Sequence, residues 1–165
     1  MKCNSFISRL KILFSLLALA TISFNCQDKA GADLINEAAR SGVSLGAYSG
    51  FKTAFPSAQS VTWNRLQDRI WEARFTEGAT AKVALLQTSG LVVEQGALLS
   101  PDSLSATTRT HLSETFPGSS IHTVLTDAND EANKSLRVIL LDATNARIWR
   151  VLFNSDGTFH STTEL

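Results

Sequence analysis

Gly42-Val43-Ser44-Leu45-Gly46 is the one stretch of the 165-residue chain that matches a catalytic pattern, G-x-S-x-G. In a nucleophile elbow that pattern sits on a tight turn, with a buried strand before the serine and a helix after it. Here the preceding residues 35–41 are polar and helix-like, so Ser44 is expected to cap a helix that follows a linker. A small hydrolase using Ser44 and a histidine is the minor alternative. His111, His122 and His160 fall in different segments without i,i+4 spacing, so no shared metal and no cofactor is expected. Asp127, Asn129 and Glu131 alternate beside Asp130 as calcium ligands would, but the loop lacks the glycine that such a turn needs. It is expected to be a solvated acidic loop. The two cysteines, Cys3 and Cys26, are too few for a disulfide framework or a thiolate zinc site. No catalytic residue is assigned, and a non-enzymatic protein is expected.

The N-terminus carries an address. Lys2, Arg9 and Lys11 precede an apolar run over residues 12–24. That run is short for a membrane span, which needs about 20 residues, and suits the core of an export signal. Cys26 follows at once and resembles the lipid-attachment cysteine of bacterial lipoproteins. Cleavage after Ala18-Leu19-Ala20, an A-x-A site, is the other reading. Residues 1–25 are thus expected to be a signal peptide, residues 26–44 a tether with at most a short helical turn, and residues 45–165 the folded domain. The full chain has 15 basic and 15 acidic side chains; without the signal, 12 basic face 15 acidic, a net charge of −3. Such a balance argues against nucleic acid as a partner. The expected location is the periplasm or outer membrane, anchored through lipid on Cys26.

What would position a functional surface is an internal repeat. Phe55-Pro56-Ser57 recurs 61 residues later as Phe116-Pro117-Gly118. Helical patterns lead into each, through Leu45, Tyr48, Phe51 and Phe55 and through Leu104, Thr108, Leu112 and Phe116. Ser100 and Pro101 mark the expected start of the second helix, and both helices should end at the residue before proline. Four strand-like segments follow each Phe-Pro, over residues 60–65, 69–76, 81–87 and 91–94, then 120–125, 136–142, 147–154 and 158–162, with turns at Gly78, Gly90, Asn145 and Gly157. The chain is therefore α+β: tandem α-β-β-β-β repeats, 45–99 and 100–165, forming one antiparallel sheet of about eight strands with two helices on one face.

Alternation assigns the faces. Trp71, Ala73 and Phe75 share one side, as do Trp149, Val151 and Phe153; helices should cover that side. Trp63 is the tryptophan placed nearest a sheet edge, although core is its expected place too. The opposite side carries Ile139, Leu141, Ile148 and Leu152 with Arg74, Arg137 and Arg150. Apolar residues mixed with arginine suit an interaction surface, and these seven residues are the candidate face.

Phe55-Pro56-Ser57-Ala58 with Val61, Trp63, Leu86 and Gly90, and Phe116-Pro117-Gly118-Ser119 with Phe153 and Gly157, resemble the PepSY-like, or beta-lactamase-inhibitor-like, group of exported proteins. The resemblance covers residues 45–165. It implies export, the tandem sheet-and-helix scaffold, and a protein-binding role without catalytic residues. The expected function is accordingly an exported, lipid-anchored binding module whose partner is an envelope or secreted protein, with self-association a further option. A structural envelope lipoprotein without a specific partner is the alternative.

Overall fold

The computed structural model describes residues 31–126, 135–142 and 147–165. The signal segment, Cys26, the acidic loop around Asp127 and the Asn145 turn lie outside the described residues. Two compact units are distinguished, residues 1–45 and 46–165. In the first, residues 31–41 form helix α1, more than the helical turn expected of the tether. Gly42 ends it with a φ of 68°. The Gly42 and Val43 N–H groups donate to the Ala39 and Ala38 carbonyls, which the helix end would otherwise leave unpaired. Among the described residues no helix is long and apolar enough to cross a membrane.

The larger unit is built on one eight-stranded antiparallel sheet whose strands lie in sequence order. Helix α2 (Leu45–Ala54) leads into β1 (Gln59–Gln67), β2 (Ile70–Glu77), β3 (Thr80–Gln87) and β4 (Val92–Leu99). A 3-10 turn (Pro101–Ser103) and helix α3 (Ala106–Thr115) then lead into β5 (Ser119–Thr126), β6 (Leu136–Asp142), β7 (Arg147–Phe153) and β8 (Phe159–Glu164). Helices α2 and α3 each end on the residue before the phenylalanine of their Phe-Pro pair, one residue earlier than expected. The start of the second differs from expectation. Ser100 and Pro101 open only the 3-10 turn; the backbone is extended at Leu104 and Ser105, and the Ser105 side chain accepts from the Thr108 N–H to cap α3. The interruption lets Leu104 drop into the core, where it is 3 % exposed.

Directly paired residues share a face, so the register separates the two sides of the sheet. On the helix side of the first repeat, Phe51, Phe55, Phe75 and Trp63 pack edge-to-face or tilted, with ring centroids about 5 Å apart. In the second repeat Leu104, Leu112, Val124, Val138, Leu140, Val151 and Phe153 form the equivalent core. Trp71 and Trp149, expected in the core, are half-buried beside Arg65 and Arg147.

Each helix sits on the last hairpin turn of its own repeat. Gly90 and Gly157 close those turns at φ 98° and 83°. Gly46 and Gly50 bring α2 against the backbone of Thr88, Ser89 and Gly90, so closely that a Cβ at either helix position would overlap it. That contact rotates α2 away from the expected stripe: Ala47 and Phe51 are buried while Leu45 is exposed. In α3 the same positions carry larger residues, and Thr108 Oγ1 donates to the Gly157 carbonyl instead.

Candidate interaction face

The side of the sheet away from α2 and α3 is charged at its heart. Glu72 on β2 pairs with Leu85 on β3, which pairs with Glu94 on β4, so the two carboxylates stand in one row, two strands apart. Both are buried: their side chains are 1 % and 2 % exposed. A buried carboxylate needs cations or donors around it, and each has them. Arg74 Nε and Nη2 donate to Glu72 Oε1 at 3.1 and 3.0 Å, and His122 Nε2 lies 3.0 Å from the same oxygen. Arg137 Nη1 reaches Glu94 Oε1 at 3.1 Å and Arg150 Nη1 reaches Glu94 Oε2 at 3.4 Å. The Gln95 N–H also donates to Glu94 Oε1, and Arg150 Nη2 to Thr163 Oγ1.

Three of these contacts join the repeats. Glu72 and Glu94 come from the first, His122, Arg137 and Arg150 from the second. Backbone pairing between the repeats is short, three residue pairs from Ala97–Thr126 to Leu99–Val124. The ion pairs therefore reinforce a narrow seam. Burial on its own would push the Glu72 carboxyl up, but the hydrogen bonds and charge of His122 and Arg74 outweigh it and hold the group below the ordinary glutamate range.

All seven residues of the candidate face lie on this side of the sheet, but not equally open. Ile139 and Ile148 are 0 % exposed. They belong to a second core with Ile70, Val83, Leu85 and Leu125, against which Leu66, Val93, Leu98, Leu141 and Leu165 pack. Neither can touch a partner directly, which corrects the expectation of an open face at those positions. The reason is curvature: strands are about 4.8 Å apart in a sheet, yet Ile70 on β2 and Leu165 beyond β8 line one cleft. The sheet curls over its own middle. Leu141, Leu152 and Arg137 are half-buried, and Arg74 and Arg150 keep side-chain exposures of 42 % and 34 %.

Glu94, His122 and Thr123 were not assigned to this face from sequence. Register shifts hide them: irregularities between Leu85 and Leu86 and between Ile121 and Thr123 break the alternation on which face assignment depends. Arg74, in a regular strand, was placed on the side opposite Trp71, and the same alternation puts Glu72 beside it. The remaining chemistry-bearing residues stay dispersed. Ser44 stands between α1 and α2, so that the described residues leading into it form a helix and not the strand a nucleophile elbow needs. His111 packs on the rings of Phe153 and Phe159, and His160 lies exposed on β8.

No family model and no curated protein matches the chain. Solved structures do. A DUF2874 family protein from Bacteroides ovatus is 17 % identical, covering 72 % of this chain and 85 % of that one, with a TM-score of 0.39. A DUF2874 family protein from Bacteroides uniformis is 14 % identical over 72 % and 87 %, with a TM-score of 0.40. A BLIP-like protein from Bacteroides fragilis is 13 % identical over 74 % and 86 %, with a TM-score of 0.38.

Proposed function

We propose that the chain is an exported, PepSY-like binding module that grips a protein partner with the rim of the curled sheet face. The observation that carries this reading is the charge and exposure of that face. Three guanidiniums face two carboxylates there, both carboxylates are buried, and Arg74 and Arg150 remain partly open beside the half-buried Leu98, Leu141 and Leu152. Arginine next to apolar side chains is the composition of interface centres. In a mature chain that is acidic overall, this face is a local positive exception, suited to an acidic surface. Binding rather than catalysis is supported by the position of Ser44 between two helices and by the separation of the three histidines. Export and a lipid on Cys26 are supported by the N-terminal signal pattern.

The test is crosslinking and affinity capture from cell envelopes, comparing the wild type with Leu152→Glu and Leu141→Ser, each first shown to keep its thermal midpoint. One prominent crosslinked partner, lost in both variants, is the expected result. An unchanged crosslinking profile would refute the binding face. Mass measurement of the purified chain distinguishes a second copy from a foreign partner.

A further inference from the structure

A cleft of about 330 Å3 opens at the seam between the repeats, lined by Arg74, Leu98, Ser100, Pro101, His122 and Thr123 among others. Its volume is at the small end of ligand sites. Its donors are unevenly used. Arg74 spends Nε and Nη2 on a single oxygen, Glu72 Oε1, which holds the guanidinium in place and leaves Nη1 without an acceptor among the described residues. Thr123 is 2 % exposed, and its hydroxyl is buried with no hydrogen-bond partner. Ser100 Oγ accepts from the Asp102 N–H, which leaves its own proton to donate. A fixed guanidinium, two hydroxyls and the His122 ring thus border a space whose remaining walls, Leu98, Leu99 and Pro101, are apolar.

We propose that this cleft recognises a carboxylate on a short apolar stem, such as an acidic side chain of the protein partner. The inference rests on the binding-module reading and names the chemistry that reading leaves open. Arg74 Nη1 would donate to one carboxylate oxygen, with Thr123 and Ser100 donating to the other. The stem would lie against Leu98 and Pro101. A singly charged group matches the face, where guanidiniums exceed carboxylates by one; a doubly charged phosphate does not. Glu72 does not defeat the attraction, because the Arg74 guanidinium already pairs with it. Occupancy would also satisfy the Thr123 hydroxyl, whose burial without a partner is otherwise unfavourable.

The mature protein, labelled with 15N, is titrated with N-acetylglutamate amide, and separately with N-acetylglutamine amide and inorganic phosphate, while amide shifts are followed. Saturable shifts centred on residues 73–75, 98–100 and 121–124, with the glutamate probe at least fivefold tighter than either other probe, are expected. Thr123→Val, nearly isosteric and free of the orphan hydroxyl, should keep the fold and weaken the glutamate probe about fivefold, the loss of one hydrogen bond of about 1 kcal/mol. Arg74→Gln should abolish binding. No saturable shift, an equal response to the glutamine probe, or unchanged binding in Thr123→Val would each overturn the carboxylate site. Tighter binding of phosphate would make the cleft a general anion site and overturn it as well. Leu152 lies outside the cleft, so the two readings fail separately. Partner capture still sensitive to Leu152→Glu without probe binding removes the cleft alone, whereas probe binding with insensitive capture removes the face alone.

Discussion

Glu72 shows how one side chain can tie stability to pH. Its carboxyl titrates below the ordinary value of 4.5 in the folded chain, despite burial that acts the other way. A folded-state value below the unfolded one means that Glu72 contributes stability above about pH 4.5, which is lost as the pH falls through the folded value. Thermal midpoints measured from pH 7 down to pH 3 should therefore fall more steeply in the wild type than in Glu72→Gln. At pH 7 the variant should be less stable by about 1.5–3 kcal/mol, the range for hydrogen bonds to charged groups. The lower part of that range is favoured because Arg74, left behind, is exposed enough to be hydrated. Parallel slopes for the two proteins would show that other carboxylates, such as Glu77 bound to Lys82, control acid sensitivity. At this scale the sequence is partly transparent. Arg74, Arg137 and Arg150 could be placed on the correct side because β2, β6 and β7 alternate regularly. Their counter-ion Glu94 could not, because the bulge opposite Leu85 and Leu86 reverses the apparent side, and nothing in a sequence announces a bulge of that kind.

Among the elements, the two helices meet the sheet by different chemistry although they occupy equivalent places. In α2 the contact is made by absence of side chains. Gly50→Ala would gain about 1 kcal/mol of helix propensity, but its Cβ would overlap the Gly90 carbonyl. Backbone cannot yield as a flexible side chain can, and overpacking costs about 1–3 kcal/mol. The net effect expected in chemical denaturation is a loss of stability, and a gain would mean that α2 is free to shift. In α3 the contact is made by hydroxyls. Ser105→Ala removes the cap on the Thr108 N–H and one of the two partners of the Thr108 hydroxyl, and should cost about 1 kcal/mol. Ser100→Ala should cost less, since it caps only a three-residue turn. The ends of both helices were legible from Phe-Pro. The start of α3 was not, because Ser100-Pro101 and Ser105 offer competing caps five residues apart, and burial of Leu104 decides between them.

Over the whole molecule, the duplicated pattern of helix and four strands is borne out, and the eight strands pair in the order in which they are made. Turn glycines and alternation carried that reading. Curvature escaped it, since twist accumulates over many strands and no single residue encodes it; hence Ile139 and Ile148 were expected at an open surface and lie at a closed centre. The seam between repeats offers a direct measurement. Unfolding of Glu94→Gln, Arg137→Met and the double variant should show a coupling energy of at least about 1 kcal/mol, as contacting charged residues do. Additive effects would mean that Arg150 alone balances Glu94. The distribution of those charges has a consequence for how the chain could be rearranged. Among the described residues of the curled face, the first half brings Glu72, Glu94 and one guanidinium, and the second half brings His122 and two guanidiniums. A chain made of two first halves would confront four acids with two bases, and one made of two second halves would have no acid at all. On this face the two halves complement each other in charge, and neither complements a copy of itself.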